Sequence, residues 1–237
     1  MQCCLYGKVP AKRDFIAVSA PREFLNAWEP WLQGAISASR ATLGDKWQPA
    51  FLTAPIWRFW LGADICGRSV IGAFMSSLDG VGRYFPLTLF ACADDNATIP
   101  PPEFTSQDDW FEAAEAFLIS TLDHDANFEA MTAGLAALPP PCQEVQKILA
   151  QGRAGDPDRP EGLPEAPQAL LPASGQSFSE VFNSIRARDY ARIYAGSTFW
   201  WTIGGEGIAA IALSGKGMPD PFLFAAMLTG EFADAKA

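Results

Sequence analysis

Three apolar runs follow one another in the first half of the chain, at residues 54–61, 68–77 and 84–93, and they limit the folds that this sequence can adopt. Each run has the length and the aliphatic and aromatic content that are typical of a β-strand. The last two runs are joined through LDGVGRY, in which Asp79-Gly80 is a strong hairpin signal although the loop is longer than two residues. Together with strands predicted near residues 196–203 and 207–214, this pattern indicates a sheet that is largely antiparallel.

Segments with helical periodicity surround these strands. The clearest helix is predicted over residues 19–44, with Ser19 as its cap, Gly44 at its end and a kink expected at Pro30. Ser106 has the spacing of a capping residue for a second helix. The predicted helices after the first lie at residues 106–122, 127–138, 178–190 and 220–232. Because strand–helix–strand alternation is absent, we predict an α/β fold, a three-layer-like sandwich in which a mixed, mostly antiparallel sheet is flanked by helices.

Residues 151–177 contain five prolines and four glycines, and they are predicted to form a long loop. A loop of this kind inside a compact domain is often functional or mobile. A chain of 237 residues has the length of one large domain or two small ones. We predict a single domain over residues 1–237 that includes this loop.

The charge and the cysteines exclude several classes of protein. The net charge is −10, and residues 1–100 carry nine Lys and Arg against eight Asp and Glu, so nearly all the acidity lies after residue 100. An acidic chain is a poor general binder of nucleic acid or of an anionic membrane. The five cysteines form no C-x-x-C motif, no signal peptide is recognised, and no apolar run approaches the roughly 18 residues of a membrane span. We therefore predict a cytoplasmic protein without a cofactor or a metal.

A search for catalytic residues yields one weak candidate. The single histidine, His124, lies between Asp123 and Asp125, so a hydrolase that uses His124 and a neighbouring aspartate is an alternative function. A polar helix end explains the same residues more simply, because no second histidine is present to share a metal. The GGEG segment at residues 204–207 lacks the pattern of a phosphate-binding loop and is predicted to be a turn between strands.

Two sets of polar residues and one isolated arginine are further candidates for a functional site. Lys8, Lys12, Arg13 and Asp14 form the first set, for which local physics favours a solvated turn. Asp79 and Arg83 form the second set, for which a hairpin-loop ion pair is expected.

Arg58 lies within the apolar run LTAPIWRFWL at residues 52–61. In a strand its side chain points away from Trp57 and Phe59, so it need not be buried in the core. It could stack on a neighbouring tryptophan or pair with Asp79. We predict that Arg58, Asp79 and Arg83 converge on one face.

Three segments resemble the family of the type VI secretion-associated protein TagF: YGKVPAKRDF at 6–15, WQPAFLTAPIWRFWL at 47–61 and SSLDGVGRYFPLTL at 76–89. TFWW and GMPDPFLFAAML fit the C-terminal part of that family, while the Pro/Gly-rich loop has no match. APIWRF followed by D-x-VGRYFPL is the most specific part of the resemblance. The chain departs from the family pattern at Arg13 and Gly80, where the pattern has glycine and arginine, and at Ser76, where it has proline.

The resemblance implies an α/β sandwich without known catalysis. It also implies a cytoplasmic regulator that represses type VI secretion after translation by binding a scaffold protein with a forkhead-associated domain. A third hypothesis is a structural subunit of the secretion machine. The residues expected to contact or present the partner are Lys8, Asp14, Trp57, Arg58, Asp79, Arg83 and Tyr84.

Overall fold

A seven-stranded antiparallel sheet forms the centre of the molecule in the computed structural model. The structure describes residues 1–95, 97–123, 127–145, 177–178, 182 and 189–232. The strands, numbered in chain order, are β1 (Cys3–Gly7), β2 (Ile16–Val18), β3 (Trp57–Leu61), β4 (Val70–Met75), β5 (Leu87–Cys92), β6 (Ala97–Thr98), β7 (Glu144–Val145), β8 (Ser197–Thr202) and β9 (Ile211–Lys216). Their order along the sheet is β2-β1-β5-β4-β3-β8-β9, and β6 and β7 form a separate two-stranded ribbon.

Helices pack on both faces of this sheet. They are α1 (Arg22–Leu43), α2 (Trp47–Thr53), α3 (Ala63–Cys66), α4 (Asp108–Ser120), α5 (Phe128–Ala137) and α6 (Leu223–Thr229). The predicted α/β sandwich is confirmed, and every pairing among the described strands is antiparallel. No helix in the described part of the chain is both long enough and apolar enough to span a membrane.

Alternation along the strands divides the core into two layers. On one face, Phe59, Phe90 and Trp200 pack against Phe24 and Trp28 of α1, and each of these five residues is at most 1% exposed. On the other face, strand residues such as Trp60 and Leu89 pack against side chains of α4 and α5. Because both faces are covered, the central strands are buried along their whole length. The sheet is therefore a rigid platform for the loops at its ends.

Helix ends differ from the predicted ones. The long helix begins at Arg22 after Pro21, without a side-chain cap from Ser19, and Pro30 lies inside it without ending it. Gln107, in a left-handed conformation, precedes α4 where Ser106 was expected to cap. Gly44 ends α1 as predicted.

Several predictions fall outside the described residues. They include the loop at 151–177 except for Ser177, most of the helix predicted for 178–190, and both His124 and Asp125.

Candidate interaction site

The side chain of Asp79 organises the loop between β4 and β5. Its Oδ1 accepts hydrogen bonds from the backbone N–H groups of Val81 at 3.0 Å and Arg83 at 2.9 Å. The backbone N–H of Gly82 donates to the carbonyl oxygen of Asp79 at 2.9 Å. Gly82 has a φ of +83°, in the left-handed region that favours glycine. The Asp-Gly-Val-Gly segment therefore folds locally into a tight turn around one carboxylate.

Asp79 is fully buried, and two cations neutralise its carboxylate. Its Oδ2 lies 2.9 Å from Nζ of Lys8 and 2.7 Å from Nε of Arg83. Burial alone raises the pKa of a carboxyl group, but the hydrogen bonds from Arg83, Lys8 and Val81 outweigh that cost and hold the pKa of Asp79 well below its ordinary value. The expected ion pair between Asp79 and Arg83 is confirmed. The prediction of a solvated turn is wrong for Lys8, which is buried.

Lys8 begins the loop between β1 and β2, so the ion cluster joins two loops that are far apart in sequence. The hydroxyl of Ser77 donates to the carbonyl oxygen of Lys8 at 2.8 Å. The backbone N–H of Gly80 donates to the carbonyl oxygen of Lys12 at 2.8 Å. The Arg83 guanidinium donates to the carbonyl oxygen of Arg13. A Cβ on Gly80 would lie 2.9 Å from the carbonyl oxygen of Pro10, so a side chain at this position would require a shift of one of the two loops.

These two loops present one outward surface, which we call the paired-loop surface. Its members are the exposed residues Lys12, Arg13, Asp14, Phe15, Val81 and Arg83. Phe15 is 50% exposed and Val81 is 57% exposed. Beneath the surface the ring of Phe15 packs edge-on against Phe85, with 4.7 Å between centroids, and Nζ of Lys8 lies 4.9 Å from the centroid of Phe15. Aromatic packing therefore supports the exposed ring from below.

Tyr84 lies beside this surface and is half-buried. Its ring packs against Trp47 and Phe51 of α2, at centroid distances of 5.9 and 5.8 Å. Its hydroxyl oxygen accepts a hydrogen bond from Nε2 of Gln48 at 2.7 Å. The second loop is thus attached to α2 as well as to the first loop.

Arg58 belongs to a different cluster, so its predicted pairing with Asp79 and convergence with Arg83 are wrong. Nε of Arg58 lies 2.5 Å from Oε1 of Glu115, and Nη1 lies 3.5 Å from Oδ1 of Asp108, both on α4. The guanidinium carbon lies 4.8 Å from the ring centroid of Phe111, where a tryptophan was the expected partner. Arg58 does point away from Trp57, but α4 covers that face, and Arg58 is only 5% exposed.

The other sequence candidates divide by exposure. Trp57 is 1% exposed, and its indole N–H donates to the carbonyl oxygen of Met227 at 2.9 Å, so it is a core residue. Buried candidates can affect a partner only by shaping the surface above them. Of the seven candidates, Asp14 and Arg83 are exposed, Tyr84 is half-buried, and Lys8, Trp57, Arg58 and Asp79 are buried.

Sequence reasoning missed Phe15 and Val81 as surface residues. The sequence did signal that Val81 is exposed, because Val81 lies between two glycines of a turn. A tight turn has no room to bury an apolar side chain. Phe15 gave no comparable signal, because it immediately precedes β2 and could as well have been a core residue.

The described residues offer no group of three or more metal ligands. Burial raises the pKa of the Cys4 and Cys92 thiols to about 12 and that of Cys66 to about 11. These three thiols are therefore protonated at neutral pH and are poor nucleophiles.

The segments that build the paired loops also match a known family. The profile of the family described as TagF N-terminal domain, Type VI secretion system-associated, matches residues 4–138, which is more than half of the chain. The chain belongs to the TagF family. It is a type VI secretion system-associated protein, and its family is not a known enzyme family.

A solved structure extends the similarity over nearly the whole chain. The crystal structure of PA0076 from Pseudomonas aeruginosa PAO1, at 2.05 Å resolution, superimposes with a TM-score of 0.76 and is 30% identical in sequence. The match covers 99% of this chain and 97% of PA0076. No curated protein sequence matches the chain.

Proposed function

We propose that this TagF-family chain is a non-enzymatic, cytoplasmic repressor of type VI secretion that acts after translation. It represses by binding a scaffold protein that contains a forkhead-associated domain. The whole chain acts as one domain in this proposal. The pairing of β8 with β3 supports that view, because it places residues after 196 in the same sheet as the family segments.

The observation that carries the proposal is the paired-loop surface. Two of the most recognisable family segments, YGKVPAKRDF and DGVGRYFPL, form this surface and the buried ion cluster beneath it. The surface combines two exposed apolar side chains, Phe15 and Val81, with charged neighbours on two loops that are fixed to each other, and such a combination suits a protein interface. The surface therefore fits a binding role better than a purely structural one.

The rigidity of the two loops favours this role on energetic grounds. Their backbones are fixed to each other by hydrogen bonds from Ser77, Gly80 and Arg83. A surface that is already ordered loses little conformational entropy when a partner binds. Arginine is also among the residues that contribute most to binding at the centre of an interface. Arg83, held by Asp79 and still 57% exposed in its side chain, is placed for such a contact.

The proposal is tested by measuring secretion and binding in the same strains. In a bacterium with an active type VI system, overproduction of the chain should lower the release of a type VI effector into the medium, without lowering effector synthesis. The purified chain should capture the forkhead-associated-domain protein of that system. Unchanged secretion together with no capture would refute the proposal. Stable rings or filaments of the purified chain would favour a structural subunit instead.

A further inference from the structure

The two paired loops carry an excess of positive charge on a chain that is acidic as a whole. Lys12, Arg13 and Arg83 are exposed there, against Asp14 as the exposed carboxylate of the same loops. The buried Lys8–Asp79 pair beneath them contributes no net charge. The chain as a whole has a net charge of −10. A local positive surface on such a chain selects for a partner with negative charge.

The two arginines remain available to a partner. Arg83 uses Nε for Asp79 and Nη2 for the carbonyl oxygen of Arg13, while Asp14 lies 3.8 Å away in a contact that is open to solvent. An exposed pair at that distance contributes little to stability, so Asp14 can turn aside without much cost. The Arg13 side chain has no ion-pair partner within the described part of the chain. Both guanidiniums can therefore donate hydrogen bonds to carboxylates of another molecule.

Apolar contacts and the overall charge narrow the class of partner further. Phe15 and Val81 lie on the same two loops as the arginines, so a bound segment can place an apolar side chain there. A phosphodiester polymer would be repelled by the rest of this acidic chain and would leave these apolar groups unused.

We propose that the paired-loop surface binds an acidic segment of the partner protein, with carboxylates against Arg13 and Arg83 and an apolar side chain against Phe15. The choice of the scaffold as the source of this segment rests on the proposed function. The chemistry of recognition does not, because it follows from the charges and exposures of the two loops.

Charge reversal at Arg13 tests this proposal, with Arg68→Glu as the control for reversing the charge of an exposed arginine elsewhere on the protein. Arg68 precedes β4, whereas the loop of the paired-loop surface that carries Arg83 follows it. Unlike Arg13, Arg68 pairs with Asp95 at 2.8 Å and donates a hydrogen bond to the carbonyl oxygen of Ala93. Arg13→Glu should weaken scaffold binding about tenfold, and Arg68→Glu should weaken it less than about threefold. Binding by the unmodified chain should weaken as ionic strength rises. Equal effects of the two variants and binding that is insensitive to salt would overturn the proposal.

A direct probe separates this proposal from the proposed function. Poly-L-glutamate should bind the unmodified chain and lose affinity for Arg13→Glu, whether or not the scaffold binds. Binding of poly-L-glutamate without scaffold binding would support the acidic-segment proposal and refute the scaffold. Scaffold binding that Arg83→Ala weakens, but that neither Arg13→Glu nor poly-L-glutamate affects, would support the proposed function and overturn the acidic-segment proposal.

Discussion

Two clusters of buried charge, one around Asp79 and one around Arg58, differ in whether their partner residues reach the surface of the paired loops. Asp79 is bonded to buried Lys8 and to Arg83, whose side chain is 57% exposed, so its cluster connects the interior to the paired-loop surface. Arg58 is bonded to Glu115 and stacks on Phe111, so its cluster holds α4 against β3. Both clusters join separate elements of the fold, and only the first also fixes an outward surface.

This difference separates two segments that look equally specific in the sequence. APIWRF supplies a helix–sheet contact, whereas DGVGRYFPL supplies a turn and an exposed arginine. A buried charge in an apolar run is therefore not by itself evidence of a binding site, because a partner from a distant helix can satisfy it. The variants below test this distinction, from the largest expected change in stability to the smallest.

Asp79→Ala should have the largest effect on stability. It leaves the Lys8 ammonium buried without a counter-ion and removes the acceptor of the Val81 and Arg83 backbone N–H groups. Breaking a buried pair in this way costs about 3–5 kcal/mol of the free energy of unfolding. Chemical denaturation measures the loss, with Asp14→Ala as a control, because Asp14 is an exposed acid of the facing loop. A loss similar to that of the control would contradict the role given to Asp79.

Arg58→Ala should destabilise the protein by about 2–4 kcal/mol, because Glu115 loses its close partner and Phe111 loses its stacking contact. The effect is smaller than at Asp79 because Asp108, the second partner, is largely exposed. The folded fraction should bind the scaffold with unchanged affinity. Arg68→Ala is the control for removing an exposed arginine. If Arg58→Ala weakened scaffold binding without lowering the free energy of unfolding, Arg58 would belong to the interface, and the two clusters would not differ in role.

The stability contribution of Asp79 should depend on pH. Its pKa lies below the unfolded value in the folded chain, so its contribution is complete above the unfolded pKa of about 3.9 and is lost as the pH falls below that value towards the folded pKa. The difference in unfolding free energy between the unmodified chain and Asp79→Asn should therefore narrow in acid. Denaturation curves between neutral pH and the acid limit measure this difference. A constant difference would show that the charge of Asp79 is not what matters.

The elements that could be predicted from sequence are those set by local pattern. Apolar runs predicted β3, β4, β5, β8 and β9, periodicity predicted the long helix, and Asp79-Gly80 predicted the hairpin with its ion pair to Arg83. The short strands β1, β2, β6 and β7 were not predicted. The contact between Lys8 and Asp79 depends on the pairing of β1 with β5, which brings together two loops that are far apart in sequence. No local sequence pattern indicates that pairing.

Arg58 was interpreted wrongly because one face of an antiparallel sheet is often solvated, and here helices cover both faces. A sequence signal for covered faces was present in β4 and β5, because VIGAFM is apolar on both sides and LTLFAC has Thr88 as its one hydroxyl-bearing residue. The identity of its partner could not be predicted, because Glu115 lies 57 positions further along the chain.

Scaffold affinity and stability measured together on Arg83→Ala test the central claim most directly. Asp79 keeps Lys8 and two backbone donors in this variant, and Arg83 is mostly exposed, so the free energy of unfolding should change by no more than about 1 kcal/mol. If Arg83 lies at the centre of the interface, binding should weaken by about 2 kcal/mol, or roughly thirtyfold. Arg68→Ala should change neither quantity. Unchanged scaffold affinity in Arg83→Ala would contradict the account, and a large loss of stability with intact binding would give Arg83 a structural role.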